Sequence, residues 1–247
     1  MTFEFPKKDH IPALKRLWKE AFFDTDEFLD QFFTLEYSPR RCRIALEDGQ
    51  PAAVLYWLEL ACRGKKMAYI YAVTTDSRYR HRGLCTRLME DALAHMEDCA
   101  GAVLLPADEG LRAMYGAMGF RDAAPVGVLT CRAGRTPVSL KPVTGAAYLA
   151  LRQRYAPAGG AAPREAAFLE SQYGLYAGED FVLAARVEQG RLTAAELLGS
   201  RDAASGILQA LGAETGTFRY PGGETPFLMY RSLDGTAAPD FYPFTFE

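Results

Sequence analysis

The stretch YIYAVTTDSRYRHRGLCTRL, residues 69–88, contains the end of a strand, a basic loop and the start of a helix. Residues 67–73 are aromatic and β-branched with almost no charge, which predicts a buried strand. Apolar residues then recur at helical spacing at Leu84, Leu88 and Ala92. The loop between these elements ends where a helix leaves four backbone N–H groups unpaired at the positive end of its dipole. We therefore expect this loop to bind a phosphate.

Two glycine-loop motifs do not fit the stretch. A Walker loop requires GxxxxGK[ST], and a dinucleotide fingerprint requires GxGxxG with an acidic residue about twenty positions later. Gly83 stands alone in this loop. By contrast, residues 80–85, RHRGLC, resemble the pyrophosphate loop R/Q-x-x-G-x-G/A of the GNAT superfamily of acyl-coenzyme A-dependent N-acyltransferases. The match includes the arginine and the first glycine, whereas Cys85 replaces the usual small residue.

A second motif follows after a predicted strand at 102–105. Residues 111–120, LRAMYGAMGF, resemble the helix and turn A-x-x-x-Y-x-x-x-G-F of the same family. Tyr115 takes the place of the tyrosine that, in many members, protonates the leaving coenzyme A thiolate. The joint resemblance implies transfer of an acetyl group from acetyl-CoA to a primary amine, by direct attack in a ternary complex.

The resemblance also implies how acetyl-CoA is held. The strands at 67–73 and 102–105 are expected to lie parallel and to splay apart, so that the pantetheine arm pairs with the free edge of the first strand. The oxyanion donor would be the backbone N–H of Val73 or Thr74. The implied cofactor-binding residues are Val73, Thr75, Arg80, His81, Arg82, Gly83, Leu84, Cys85 and Thr86.

The sequence does not identify the general base. Glu36, Glu59 and Asp76 are candidates by residue type, and a chain of water molecules can also carry the proton. Eis-type relatives place a terminal carboxylate in the active site, which makes Glu247 a second catalytic candidate; the alternative is an aromatic tail that only packs on the second domain. Cys85 sits where a helix N-terminus lowers a thiol pKa. No His-Asn or His-Asp partners accompany it, so a nucleophilic cysteine is not expected.

The predicted elements form an α/β (α+β) fold: a mixed, mostly antiparallel sheet flanked by helices, in two similar domains in tandem. Residues 1–134 are expected to be the catalytic acyl-CoA-binding GNAT domain, closed by a strand at 126–131. Residues 135–247 are expected to be a degenerate GNAT-like domain, as in bacterial tandem GNAT proteins of the Eis type. Before the predicted helix at 203–211 stands only GSRD, residues 199–202, so the second domain lacks a pyrophosphate loop.

Two amphipathic helices are predicted near the N-terminus, and in GNAT proteins this pair overhangs the acceptor. Their aromatic residues Phe22, Phe32, Phe33 and Tyr37 are therefore candidates for an acceptor pocket. Packing of helices on a sheet is expected to account for at least half of them. The acceptor class stays open between a small-molecule amine and a peptide amine, since acceptor loops vary on one fold.

Composition excludes several classes of partner. The net charge is −3 and no basic face stands out, which argues against a nucleic-acid partner. The sequence shows neither a signal region nor a membrane-length apolar run. Five cysteines without a CxxC pair favour a reduced, cytoplasmic setting, and three histidines argue against a histidine-based metal site. The oligomeric state, a homo-oligomer included, stays open. The alternative function is a non-catalytic coenzyme A-binding, sensing or interaction protein.

Overall fold

The structure is a computed structural model, and it describes residues 1–246. The helices are α1 (Ile11–Phe22), α2 (Asp26–Leu35), α3 (Leu84–Ala94), α4 (Glu109–Ala117), α5 (Gly145–Arg152), α6 (Ala166–Gln172) and α7 (Ala204–Leu211). Short 3-10 helices span Lys8–His10, Pro39–Arg41 and Ser77–Tyr79. Among residues 1–246, no helix combines the length and the apolar character required to cross a membrane.

The strands alternate with these helices along the chain. They are β1 (Thr2–Glu4), β2 (Cys42–Glu47), β3 (Gln50–Cys62), β4 (Lys65–Thr75), β5 (Gly101–Leu104), β6 (Arg121–Ala123), β7 (Val126–Arg132), β8 (Lys141–Pro142), β9 (Ala162–Pro163), β10 (Gly174–Ala177), β11 (Phe181–Glu188), β12 (Arg191–Gly199), β13 (Thr215–Pro221) and β14 (Leu228–Ser232).

Two compact units divide the chain, and neither is continuous in sequence. The first unit consists of Met1–Leu60, Lys65–Phe120 and Tyr230–Ala237. The second consists of Ala61–Gly64, Arg121–Met229 and the residues after 237. Each unit therefore includes a short segment that lies far in sequence from the rest of it.

The first unit contains a mixed sheet with strands in the order β1-β2-β3-β4-β5-β14. The pairs β1–β2 and β2–β3 are antiparallel, whereas β4 and β5 are parallel. Asp48 and Gly49, both with positive φ (50° and 75°), turn the chain between β2 and β3. Two such residues form the turn that matches strand twist, so β2 and β3 make a hairpin. Helices α1 and α3 pack on this sheet, and the predicted fold class is confirmed.

The second unit contains a sheet with strands in the order β8-β10-β11-β12-β13-β7. Only β12 and β13 pair in parallel; the other pairs are antiparallel. Helix α7 packs on one face of this sheet because Ile207 and Leu208 are fully buried against apolar strand residues. Leu183, Leu192 and Phe218 are among those strand residues, and each is at most 1% exposed.

The two units repeat one order of elements. The first runs strand, two helices, three strands, helix and strand, as β1, α1, α2, β2, β3, β4, α3 and β5. The second follows the same sequence of main elements from β8, through α5 and α6 to β10, β11, β12, α7 and β13, with the two-residue strand β9 inserted between its helices. In both units the third strand of the meander pairs in parallel with the strand after the helix.

Two strands lie in a different sheet from the one that chain order suggests. The strand expected to close the first domain, observed as β7, pairs with β13 in the second sheet. Strand β14 joins the first sheet beside β5, where Leu233 N–H donates to the Ala100 carbonyl. At each exchange an aromatic ring covers a glycine: Tyr220 fills the side-chain position at Gly127, and Tyr230 fills that at Gly101. A Cβ at either glycine would collide with the ring, which gives both exchanges a steric basis.

Candidate functional site

The phosphate-loop candidate joins the end of β4 to the start of α3. Arg80, His81, Arg82 and Gly83 are all exposed in it. Gly83 is the N-cap of α3 with φ 68°, and its lack of a side chain leaves the first-turn amides without a side-chain cap. Unpaired amides at a helix N-terminus favour an anion. The loop therefore has the backbone geometry for a phosphate, as its sequence predicts.

A buried carboxylate supports the loop from below. Asp76 is 3% exposed and caps the 3-10 helix Ser77–Tyr79 by accepting a hydrogen bond from Arg78 N–H. Its carboxylate also accepts hydrogen bonds from the Arg78 side chain, and Arg16 Nη2 lies 3.4 Å from Oδ2. The hydrogen bonds from Arg78 hold the pKa of Asp76 well below its usual range. Asp76 is thus a charged anchor for the loop, which makes it a poor general base.

The other loop arginines are oriented by nearby groups. Arg80 Nε donates to the Thr75 carbonyl at 3.2 Å. The Arg82 guanidinium lies 5.5 Å from the centre of the Tyr79 ring, within range of a cation–π contact. Arg87 donates to the Arg82 carbonyl at 3.3 Å. These contacts gather positive charge at the exposed end of the loop.

Strand β4 extends beyond its parallel neighbour. Ala68 pairs with Ala102 and Tyr69 with Val103, while β5 ends one residue later at Leu104. Strand β4 continues to Thr75, so its last five residues extend past the end of β5. Pro106 follows two residues after the end of β5 and carries no backbone N–H. The backbone around Val73 and Thr75 lies on this extension, where the sequence predicts a cofactor arm to pair.

A local distortion interrupts β4 just before that segment. Ala72 has φ 48°, a left-handed conformation that is uncommon for a residue with a side chain. Such a residue breaks the alternation of backbone groups along a strand, as a bulge does. The N–H groups of Val73 and Thr74, the implied oxyanion donors, follow directly. Nothing in the residue type of Ala72 signals this distortion, so the sequence alone could not reveal it.

Tyr115 lies in the last turn of α4. Its side chain is 5% exposed, and the Phe120 ring packs 6.0 Å away, centre to centre. Burial raises the pKa of its phenol above the ordinary value of 10, with smaller contributions from Cys85 and Asp108. Tyr115 is therefore a buried phenol on α4 that keeps its proton at neutral pH.

Cys85 itself is not activated by its position. Burial raises the pKa of the thiol, although a helix N-terminus acts in the opposite direction. Desolvation disfavours the thiolate and outweighs the helix dipole here. This agrees with the expectation that Cys85 packs in the loop and does not act as a nucleophile.

The carboxylates considered as general bases are all paired. Glu36 is 6% exposed and lies 3.2 Å from Arg41 Nη1. Glu59 lies 3.1 Å from Lys66 Nζ. Asp76 in turn is bound to Arg78. Each of these three carboxylates is therefore paired with a cation, which makes it a weaker base. Glu247, the remaining catalytic candidate, lies outside the described residues.

The aromatic residues of α1 and α2 form a packed cluster against β3 and β4. Phe32 is 1% exposed and contacts Trp18, Tyr56 and Tyr71 at ring-centre distances of 4.7, 5.4 and 6.0 Å. Phe32 is thus a core residue, but it is one of four candidates, so the expectation that at least half of this set would be core is not met. The remaining members of the set are more accessible, with Phe33 and Tyr37 half-buried and Phe22 44% exposed. The Tyr56 hydroxyl is buried and has no hydrogen-bond partner among residues 1–246.

Residues 3–123 match the family model described as an acetyltransferase (GNAT) domain. A GCN5-related N-acetyltransferase from Kribbella flavida is similar in structure, with a TM-score of 0.70 and 17% identity over 94% of this chain and 71% of that chain. Eis1 from Mycobacterium abscessus is similar with a TM-score of 0.66 and 13% identity, over 95% of this chain and 74% of that chain. A GCN5-related N-acetyltransferase from Sphaerobacter thermophilus is similar with a TM-score of 0.55 and 13% identity, over 98% of each chain.

At these identities the structural neighbours share a fold with the chain, and the family model locates the corresponding domain in its first half. No curated protein matches the sequence. Within residues 1–246, His, Cys, Asp and Glu side chains nowhere gather in threes as metal ligands would.

Proposed function

The chain belongs to the GNAT acetyltransferases through the domain at residues 3–123, and we propose from this premise that it transfers an acetyl group from acetyl-CoA to a primary amine. Acyl transfer is the activity of the family. The observation that carries the proposal for this chain is the open N-terminus of α3, where Gly83 leaves the first-turn amides without a side-chain cap beside exposed arginines. Tyr115 on α4, a buried phenol whose pKa burial raises, is the proposed acid.

The loop supports acetyl-CoA as the donor. Gly83 opens the N-terminus of α3, and Arg80 and Arg82 provide exposed positive charge beside it. A pyrophosphate is the group that such a site attracts. The extension of β4 past β5 offers a backbone edge around Val73 and Thr75 for an extended arm to pair with. His81, Leu84, Cys85 and Thr86 complete the proposed cofactor site.

The chemistry follows from these groups in a ternary complex. The neutral amine attacks the thioester carbonyl, and the oxyanion accepts hydrogen bonds from the N–H of Val73 or Thr74. The carbon–sulfur bond breaks, and Tyr115 gives its proton to the leaving thiolate. The attacking nitrogen releases its extra proton through water molecules, which gives the neutral amide and restores the phenol. Because burial raises the pKa of Tyr115, the phenol keeps its proton at neutral pH. The raised pKa of Cys85 supports direct attack over a covalent acyl-cysteine.

We propose further that the second unit is a degenerate GNAT-like domain. Its element order repeats that of the first unit, including the parallel pairing at the same place. Between β12 and α7 the chain has only residues 200–203, so the phosphate loop has no counterpart there. The acetyl-CoA site belongs to the first unit.

Release of coenzyme A thiol in the presence of a panel of small amines and peptide N-termini tests the proposal. We expect amine-dependent thiol release by the native chain, and loss of most of it in Tyr115→Phe with acetyl-CoA binding retained. Tight binding of acetyl-CoA without turnover on any amine would instead identify a coenzyme A-binding or sensing protein. Absence of binding would contradict the acetyl-CoA proposal altogether.

A further inference from the structure

The turn between α1 and α2 presents an apolar surface. Phe23 is 86% exposed, the highest value among the large apolar residues from 1 to 246, and Phe22 beside it is 44% exposed. A side chain that stays in water forgoes the stabilisation that its burial would give. A single exposed apolar residue is ordinary, whereas two adjacent phenylalanines in one turn form a small apolar patch.

The backbone of Phe23 adds a second cost at the same position. Phe23 is the C-cap of α1 and has a left-handed conformation, with φ 60° and ψ 18°. Many helices end in this conformation, but the residue is usually glycine because a Cβ is crowded there. For a bulky residue it is an outlier. Folding therefore does not explain a phenylalanine here, whereas a role for its ring at the surface does.

Neighbouring contacts hold the turn in place. Trp18 Nε1–H donates to Asp24 Oδ2 at 2.8 Å. The Thr25 hydroxyl accepts a hydrogen bond from Phe28 N–H at 3.2 Å and caps α2. Phe23 lies between a helix end and this cap, so its backbone is already ordered. An ordered aromatic side chain loses little entropy when a partner binds it.

The surface around Phe23 is acidic once its ion pairs are counted. Residues 15–30 contain five carboxylates and three cationic side chains. Asp24 and Glu27 form no ion pair with any residue from 1 to 246, and both stand within four positions of Phe23. Their charge favours a cationic partner. Each cation is paired with one of the other carboxylates: Lys15 with Asp30, Arg16 with Glu20 and Lys19 with Asp26.

The shape of the turn argues for a protein as the partner. Sites for small molecules are concave and enclose the ligand, whereas a ring that is 86% exposed projects from the surface. Aromatic side chains are enriched at protein interfaces, where they fill pockets of the partner. The face of an aromatic ring also attracts arginine and lysine. A basic segment of a protein therefore matches both the ring and the carboxylates.

We propose that residues 22–27, the Phe23 turn, form a docking site for a basic segment of another protein. An arginine or lysine of that segment lies over the Phe23 ring, and its charge lies beside Asp24 and Glu27. The guanidinium of arginine suits this arrangement best, because it stacks on a ring and pairs with a carboxylate at the same time. The docking site does not depend on the proposed acetyl transfer.

Calorimetric titration of the full chain with a short peptide of alternating arginine and leucine tests the proposal. The peptide has an acetylated N-terminus and an amidated C-terminus, so it offers no primary amine for acetyl transfer. We expect saturable binding at one site, and binding weaker by about tenfold or more for the same peptide with glutamine in place of arginine. Absence of saturable binding of the arginine peptide at millimolar concentration would refute the proposal.

Phe23→Gly separates docking from folding. Glycine adopts the left-handed conformation without strain, so the variant is expected to have a higher Tm than the native chain. It is also expected to bind the arginine peptide more weakly by about tenfold or more, since the ring is removed. Val128→Thr changes another exposed apolar residue, 57% exposed on β7, and should keep the native affinity. Equal affinities of Phe23→Gly and the native chain would overturn the proposal.

Glu27→Gln tests the charge of the Phe23 turn. Exposed ion pairs contribute little, so we expect binding of the arginine peptide to weaken by about two- to fivefold. Glu90→Gln changes an exposed carboxylate on α3 and should leave the affinity unchanged. Equal losses in the two variants would show that the peptide senses only the overall charge of the chain, which contradicts a docking site.

Sedimentation velocity without peptide tests a different occupant of the same surface. We expect the native chain and Phe23→Gly to have the same state of association. An oligomer of the native chain that dissociates in Phe23→Gly would show that a second copy of this chain covers the ring, and it would overturn the proposed basic partner.

Discussion

The Arg78 side chain donates two parallel hydrogen bonds to the Asp76 carboxylate, Nε to Oδ1 at 3.0 Å and Nη2 to Oδ2 at 2.8 Å. Asp76 is buried while Arg78 is largely exposed, so the pair links the interior to the loop surface. The same carboxylate caps the turn that leads into the loop. Asp76 therefore holds the backbone that leads into the phosphate loop and also orients the charged side chain of Arg78.

Asp76→Asn is expected to lower the free energy of unfolding at pH 7 by about 1–3 kcal/mol, because the charge-assisted hydrogen bonds and part of the cap are lost. The pKa of Asp76 is lowered in the fold, so its ionised form stabilises the folded state above the unfolded pKa of about 3.9. This advantage declines as the pH falls below about 4 towards the folded pKa.

Urea denaturation of both proteins between pH 7 and pH 3 measures this effect. The difference in stability between the native chain and Asp76→Asn should become smaller as the pH falls below about 4. Asp9→Asn, which changes an exposed carboxylate, serves as the control and should differ by less than about 0.5 kcal/mol. A difference between the native chain and Asp76→Asn that does not depend on pH would show that Asp76 acts by shape and not by charge.

Arg82→Glu is expected to abolish the thermal stabilisation by acetyl-CoA. A ligand that binds only the folded state adds roughly 2.7 kcal/mol at a hundredfold excess over Kd, which raises Tm by a few degrees. Reversing the charge of an exposed loop arginine repels the pyrophosphate. Arg40→Glu reverses another exposed arginine and should keep the full shift. A shift that survives in Arg82→Glu would place the cofactor elsewhere.

Tyr115→Phe is expected to lower kcat by about 10²–10⁴, the usual contribution of a general acid, with little change in the Kd for acetyl-CoA. Burial raises the pKa of Tyr115, so ionisation of the phenol should not reduce the rate anywhere below pH 10. The pH profile of kcat for the native chain measures this directly. A rate that falls with a pKa well below 10 and loses that limb in Tyr115→Phe would contradict the assignment.

Gly83→Ala tests the left-handed N-cap against a matched glycine. A Cβ added at Gly83 or at Gly116 would have no heavy atom within 4 Å, so steric clashes do not distinguish the two variants. Only Gly83 has a positive φ, 68°, which costs an L-residue about 1–2 kcal/mol. Gly116 lies within α4, where alanine is expected to stabilise by up to about 1 kcal/mol. Thermal melts of the two variants should therefore shift in opposite directions.

Glu196→Gln tests the buried charge of the second unit. Glu196 has no exposed surface and accepts hydrogen bonds from Tyr148 Oη and Arg152 Nε, both at 2.6 Å. The variant leaves the buried Arg152 charge uncompensated, which is expected to cost about 3–5 kcal/mol. Chemical denaturation measures the loss. Glu224→Gln at an exposed position is the control, and equal stabilities for the two variants would contradict the expected role of the pair.

The sequence predicts the parts of the candidate site that depend on local residue order. Glycine at position 83 marks a left-handed turn before a helix, and Tyr115 lies on a helix with a recognisable pattern. It does not predict the left-handed Ala72, since alanine has no special preference for that conformation. The anchoring role of Asp76 had a weaker signal, because aspartate often caps the turn that follows it. Nothing in the sequence indicates that Asp76 contacts Arg16, which lies 60 positions away.

By itself, the sequence determined the fold class and the family, because these follow from apolar periodicity and short motifs that depend only on nearby positions. Tertiary structure alone decided that β7 pairs with β13 and that β14 pairs beside β5. The physical reason is that strand partners and shared surfaces depend on groups distant in sequence, and a local pattern does not encode their pairing.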